Sequence, residues 1–183
     1  EPMALLSHMA RIGSSQPVEV AADLDELAEG FDLSHFGSAP TKFDVADLGP
    51  LSARVLQDMP ATAVMDDLRA AGVPDDLAEP VWAVARANIS RRAEVADWWA
   101  LFRDGATPLV AEEDRDFIAE AFALLPDPPY SDTTWADWTT AVKDATGRKG
   151  KTLFMPLRKA VTGRERGPEM ADVMRLLQVK PKL

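Results

Sequence analysis

Apolar residues recur at spacings of three and four along nearly the whole of this 183-residue chain, and no segment alternates apolar and polar residues as a strand does. That spacing matches the turn of an α-helix and gathers the apolar surface on one side of each segment. Met3, Leu5, Leu6, Met9 and Ile12 keep it, and Gly13 ends that stretch. A short helix over 23–31 follows, with Asp23 placed to cap it. Residues 32–44 hold Gly37 and Pro40 and read as a loop. Leu48, Leu51, Val55 and Leu56 form one stripe of a helix over 45–59, which Pro60 closes.

The same reading continues through the middle of the chain. A helix over 62–71 ends at Gly72. Asp75 is expected to cap the next, which carries Val81, Val84, Ala85 and Ile89, with Pro80 in its second turn. Helices over 92–103 and 112–125 follow, the first ended by Gly105. Pro126-Asp127-Pro128-Pro129 is a stiff linker. Beyond it, Ser131 or Asp132 is expected to cap a helix that Gly147 stops. A short helix over 157–161 ends at Gly163, and a last one over 170–177 has Pro168 just inside its start. The fold class is all-α, a helical bundle. The two proline boundaries divide it into 1–59, 60–128 and 129–183.

Charge is distributed unevenly over this frame. The chain carries 20 Lys+Arg against 30 Asp+Glu, a formal charge of −10. From Lys143 onward there are 11 Lys/Arg and 4 Asp/Glu, a local charge of +7, which leaves −17 on the first 142 residues. A basic end on an acidic body is the footprint of a polyanion partner, and a folded RNA fits it best. Leu153, Phe154, Met155 and Leu157 lie inside the basic run, and a disordered tail has no use for such apolar content. The absence of Cys excludes disulfides and Cys-ligated zinc. No apolar run reaches the ~20 residues of a membrane helix.

Several local patterns have plainer readings. Residues 145–152, ATGRKGKT, match a loose phosphate-loop pattern, but such a loop must leave a strand and open a helix. The preceding residues have helical spacing, Pro156 follows closely, and the first glycine is missing, so a basic turn against RNA backbone is the better reading. Trp98, Trp99 and Phe102, and Trp135 with Trp138, keep helical spacing and belong to the core rather than to stacking platforms. His8 and His35 lack neighbours that would make a catalytic or metal site. Asp66-Asp67, Asp75-Asp76 and Glu112-Glu113-Asp114 fall at helix starts or exposed faces and act as caps and solubility charge.

Leu153-Phe154-Met155-Pro156-Leu157-Arg158, then Ala160-Val161-Thr162-Gly163, then Gly167-Pro168-Glu169-Met170, resemble the C-terminal anticodon-binding region of bacterial glutamyl-tRNA synthetases, which are class I aminoacyl-tRNA synthetases. Phe31-Asp32-Leu33-Ser34, Ala39-Pro40, Phe43-Asp44 and Leu48 are similar to the stem-contact segment of that family. Glu1-Pro2-Met3-Ala4-Leu5 looks like the helix after its signature lysine loop. The resemblance implies that 1–59 is the end of a stem-contact region and that 60–128 and 129–183 are two helical anticodon-binding subdomains. It also implies a C-terminal fragment, since neither the His-Ile-Gly-His nor the Lys-Met-Ser-Lys-Ser type motif occurs here.

What the resemblance implies for function follows residue by residue. Arg158 and the turn Gly167, Pro168, Glu169 and Met170 are expected to read anticodon bases. Arg148, Lys149, Lys151, Arg164 and Arg166 are expected to hold tRNA backbone phosphates. Arg91 and Arg92 are further candidates for the anticodon. Some family members have Thr where Gly167 stands, and a hydroxyl contact there is lost. No catalytic residue, metal site or cofactor is expected in this chain. The full-length protein is expected to be a cytoplasmic, monomeric glutamate–tRNA ligase that uses ATP and Mg. Its tRNA partner is glutamate tRNA, with glutamine tRNA the alternative. Two other readings stand beside this one: a helical protein–protein adaptor, and a regulatory synthetase paralogue that does not charge its usual tRNA.

Overall fold

The computed structural model describes residues 1–183 and consists of ten α-helices joined by short 3-10 turns, with no strand beyond an isolated antiparallel bridge between Ser14 and Phe36. The helices are α1 (Pro2–Arg11), α2 (Leu24–Glu29), α3 (Leu48–Asp58), α4 (Met65–Ala70), α5 (Ala78–Ala85), α6 (Val95–Asp104), α7 (Arg115–Ala123), α8 (Thr134–Thr146), α9 (Lys151–Thr162) and α10 (Met170–Leu176).

The first part is built on α1 packed against α3. Ala4, Ser7 and His8 form the buried face of α1. Ser7 Oγ accepts the backbone N–H of Ala21 at 3.0 Å, which draws the extended segment after Gln16 onto the helix. The His8 ring meets Phe43 edge-on at 5.3 Å. Asp23 caps α2 as expected, taking the N–H of Glu26 at 2.9 Å, and Glu26 reaches back to the N–H of Ala22 at 2.6 Å. One orphan donor of the helix start is thereby satisfied, and the residue before the cap is tied to the first turn. Eight of the twelve large apolar residues left exposed in the chain lie between Leu5 and Val45.

The remaining helices share one apolar core of 33 buried residues running from Leu56 to Leu177. It draws on both sides of the Pro126–Pro129 segment. Trp82, Trp98, Trp99 and Trp138 are its largest members. A buried indole N–H needs an acceptor, and two of these find one on a neighbouring element. Trp82 Nε1 donates to the carbonyl of Met59, and Trp138 Nε1 to that of Ala121, each at 2.7 Å. Trp98, Trp99 and Trp138 are buried as their spacing predicts, while Trp135 is half-buried and packs on Trp138 and Phe154.

The structure departs from the sequence reading at several helix ends. Asp75 does not cap α5. Its carboxylate is gripped at 3.0 Å by both Arg69 Nε and Nη2, and the chain enters α5 through a 3-10 turn with Pro80 in the first helical turn. Neither Ser131 nor Asp132 caps α8. The hydroxyl of Thr134 instead accepts the N–H of Ser131 at 2.8 Å. Pro168 lies before α10 rather than inside it.

The largest departure is α9, which begins at Lys151 rather than 157 and runs through Pro156. Proline has no N–H, so the carbonyl of Thr152 loses its helical donor. Arg148, in the turn before the helix, supplies a replacement by donating from Nη1 to that carbonyl at 3.3 Å.

Candidate nucleic-acid interface

The basic run folds as a helical hairpin followed by a short last helix. Gly147 and Gly163 end α8 and α9 in the left-handed conformation, at φ 71° and 64°. At Gly163 the close approach is as decisive as the angle. An added Cβ would stand 2.6 Å from the carbonyl oxygen of Thr107. The segment carrying Thr107 lies along the end of α9, where Leu109 donates its N–H to the carbonyl of Lys159 at 3.1 Å. Residues 145–152 are thus helix, turn and helix, and do not make the strand-to-helix cradle of a phosphate loop.

Four of the expected residues, Arg158, Arg164, Gly167 and Pro168, converge on one spot. Arg158, on α9, donates from Nη1 to the carbonyl of Pro168 at 2.9 Å. Gly167 lies against both Arg158 and the edge of Trp98, since a Cβ there would sit 3.5 Å and 3.4 Å from them. Arg164 stacks over the Trp98 ring, its Cζ 4.3 Å from the centroid. A guanidinium over an indole face is favourable and holds the cation in a fixed place. Trp98 therefore forms a floor under the turn from Gly163 to Met170. Helical spacing marks it as core but says nothing of this second use.

The cations divide by whether the protein already occupies them. Lys149, Lys151, Arg164 and Arg166 form no ion pair. Lys149, Lys151 and Arg166 are also exposed. Arg148 is engaged three ways. It pairs with Asp114, lies 4.0 Å over the Phe117 ring, and bonds the Thr152 carbonyl. Arg158 does not pair with the nearby Glu165. Glu165 pairs with Lys159 at 2.8 Å, and that bond holds its carboxyl below the usual carboxylate range.

Arg91 and Arg92 bond to none of these residues. Arg91 is exposed and pairs with Glu94 at 2.9 Å. Arg92 is partly buried and bridges Glu1 at 2.7 Å and Asp67 at 3.6 Å. The Arg92 guanidinium holds the Glu1 carboxyl below its ordinary range. No group of three or more His, Asp or Glu side chains is arranged to hold a metal ion. No helix is long and apolar enough to cross a membrane.

Residues 74–180 match the family of anticodon-binding domains. The chain belongs to this family. The matched stretch begins before α5 and takes in the helical hairpin, the turn over Trp98 and α10. Relatives of this anticodon-binding chain extend beyond the matched stretch. It is 74% identical over all 183 residues to a glutamate–tRNA ligase 2 of Jannaschia sp. (strain CCS1), and covers 41% of that protein. It is 69% identical over 183 residues to a glutamate–tRNA ligase 2 of Dinoroseobacter shibae, covering 42% of it. The chain thus spans about two fifths of the length of these relatives. Its fold matches that of a glutamate–tRNA synthetase from Elizabethkingia anophelis with a TM-score of 0.67 at 19% identity. That match covers 96% of this chain and 38% of the other.

Proposed function

We propose that this chain reads the anticodon of a glutamate tRNA on behalf of a glutamate–tRNA ligase. The observation that carries the reading is a set of four cations without an ion pair at the two ends of α9, Lys149 and Lys151 at its start and Arg164 and Arg166 after its end, in the turn that Arg158 holds by the Pro168 carbonyl. Phosphate contacts position a nucleic acid and base contacts specify it. Here the unpaired lysines and Arg166 supply the first. The second falls to Arg158 and the 167–170 turn, because a guanidinium bonded through one nitrogen keeps other N–H donors for a base edge. An anticodon loop presents splayed bases to such donors.

Attachment of glutamate with ATP and Mg is the chemistry proposed for the longer ligase, and none of the residues above takes part in it. Glutamine tRNA is a second partner this reading admits. A monomeric, cytoplasmic protein is the setting that suits it. The acidic remainder of the chain repels phosphates and restricts RNA to the basic end.

The test is binding to a glutamate tRNA transcript beside one with the last two anticodon bases changed, at two salt concentrations. Salt-sensitive binding that discriminates between the transcripts is the expected result. Equal, salt-sensitive binding reduces the site to a basic patch, and no binding at low salt overturns the reading in favour of a protein adaptor.

A further inference from the structure

Lys159 stands outside the expected RNA contacts, yet it lines a groove of about 620 Å³ together with Asp114, Arg148, Lys151, Thr152 and Met155. Its ammonium is not free. Nζ lies 2.8 Å from Oε1 of Glu165, on the turn that follows α9. Glu165 is 65% exposed and stands between Arg164 and Arg166 in sequence. Besides its bond to Lys159, the charges of Arg166 and Lys151 act on it in the same direction. Glu113 and Asp114 also line the groove, but the Glu165 carboxylate is the one set against Lys159, Arg166 and Lys151, cations of the kind that hold RNA phosphates.

The other held cation of the groove is of a different kind. Arg148 also fills the orphaned Thr152 carbonyl and covers the Phe117 ring, so its pair with Asp114 is one of three contacts. The Lys159–Glu165 bond has no such support. Its Glu165 end is open to solvent and its Lys159 end is 28% exposed, and an ion pair with such a solvated partner is weak and is screened by salt.

We propose that Lys159 is a further contact for RNA backbone phosphate and that Glu165 is its built-in competitor, displaced when RNA enters the groove. The inference rests on the RNA-binding reading above and extends it. Such a competitor weakens all RNA equally at the backbone, and so leaves the choice among RNAs to the anticodon contacts.

The test uses the 183-residue chain, its Glu165→Gln and Lys159→Gln variants and the double variant, with both transcripts described above. Glutamine keeps the shape of Glu165 and replaces the Lys159 ammonium with a shorter neutral amide, and thermal unfolding checks that each variant folds. Glu165→Gln is expected to tighten binding to both transcripts about two- to fivefold at low salt, the range of one exposed ion pair. Their ratio should stay unchanged. Lys159→Gln is expected to cost more in the Glu165→Gln background than in the wild type. Wild-type binding that Glu165→Gln leaves unchanged overturns the inference alone. So does a Lys159→Gln effect of equal size in both backgrounds, because Glu165 would then act only as a general repelling charge. Failure of wild type and Glu165→Gln to bind either transcript at low salt overturns the RNA reading and this inference with it.

Discussion

Nη1 of Arg158 donates to the carbonyl oxygen of Pro168 at 2.9 Å, tying the middle of α9 to the turn that precedes α10. The side chain expected to read RNA therefore also positions the backbone expected to read beside it. Arg158→Ala should weaken anticodon-dependent binding by roughly 1–3 kcal/mol while the fold stays intact. Arg158→Lys should recover only part of the loss. An ammonium can meet the Pro168 carbonyl but lacks the planar fork for a base edge. Equal affinity of Arg158→Ala and wild type for the glutamate transcript would refute the assignment.

Lys149 offers the opposite signature. It is exposed at the tip of the α8–α9 hairpin and pairs with no acid. Lys149→Ala should lower affinity for both transcripts alike and reduce the log–log salt slope by about 0.7, the loss of one single-strand phosphate contact. A loss confined to one transcript would contradict a backbone role.

Two glycines that end helices should differ in what they tolerate. Gly147→Ala meets no atom within 4 Å, so it should cost only the left-handed strain of roughly 1–2 kcal/mol. Gly163→Ala bears the same strain and also drives a methyl against the Thr107 carbonyl at 2.6 Å, which is backbone and cannot swing aside. It should be the more destabilised of the two in urea unfolding. Similar midpoints for the two variants would show that the 106–110 segment yields easily.

Tyr130 is the only tyrosine in the chain. Its hydroxyl is buried without a hydrogen-bond partner. Burial first, and the Asp127 carboxylate second, push its pKa up to about 12 from an ordinary value of 10.0. The unfolded chain ionises more readily than the folded one in that window. Stability should be constant, as far as this group is concerned, below pH 10 and should fall between pH 10 and about 12. Ultraviolet absorbance of tyrosinate during alkaline titration reads this one residue. Ionisation centred near pH 10 in the folded chain would show the ring to be solvated.

Much of the bundle was legible because helix period, glycine stops and tryptophan spacing are local properties. Gly147, Gly163 and the buried faces of Trp98, Trp99 and Trp138 all follow from neighbours within a turn or two. What escaped depended on partners distant in the chain. The start of α9 was misplaced because Pro156 removes a bond that Arg148 replaces, and nothing in a periodicity reveals the replacement. Arg148 reads in sequence as one more free cation, whereas the fold brings Asp114 and Phe117 against it. Asp75 has the composition of a cap, yet the Arg69 guanidinium, six residues earlier, takes both its oxygens. At the basic end, motif and charge singled out the stretch from Gly147 to Met170. They did not distinguish cations already in use from those left open.

The carbonyl of Lys159 receives two amides, Gly163 N at 2.9 Å from its own helix end and Leu109 N at 3.1 Å from a remote segment. Helix ends ordinarily fray one residue at a time, each opening on its own. Here a remote segment bonds the same oxygen, and the Thr107 carbonyl lies close over Gly163, so the last turn of α9 is tied to that segment as well as to its own helix. The amides of Leu109 and Gly163 should exchange with solvent as one unit, and the residues that follow α9 inherit the rigidity of a region far from them in sequence.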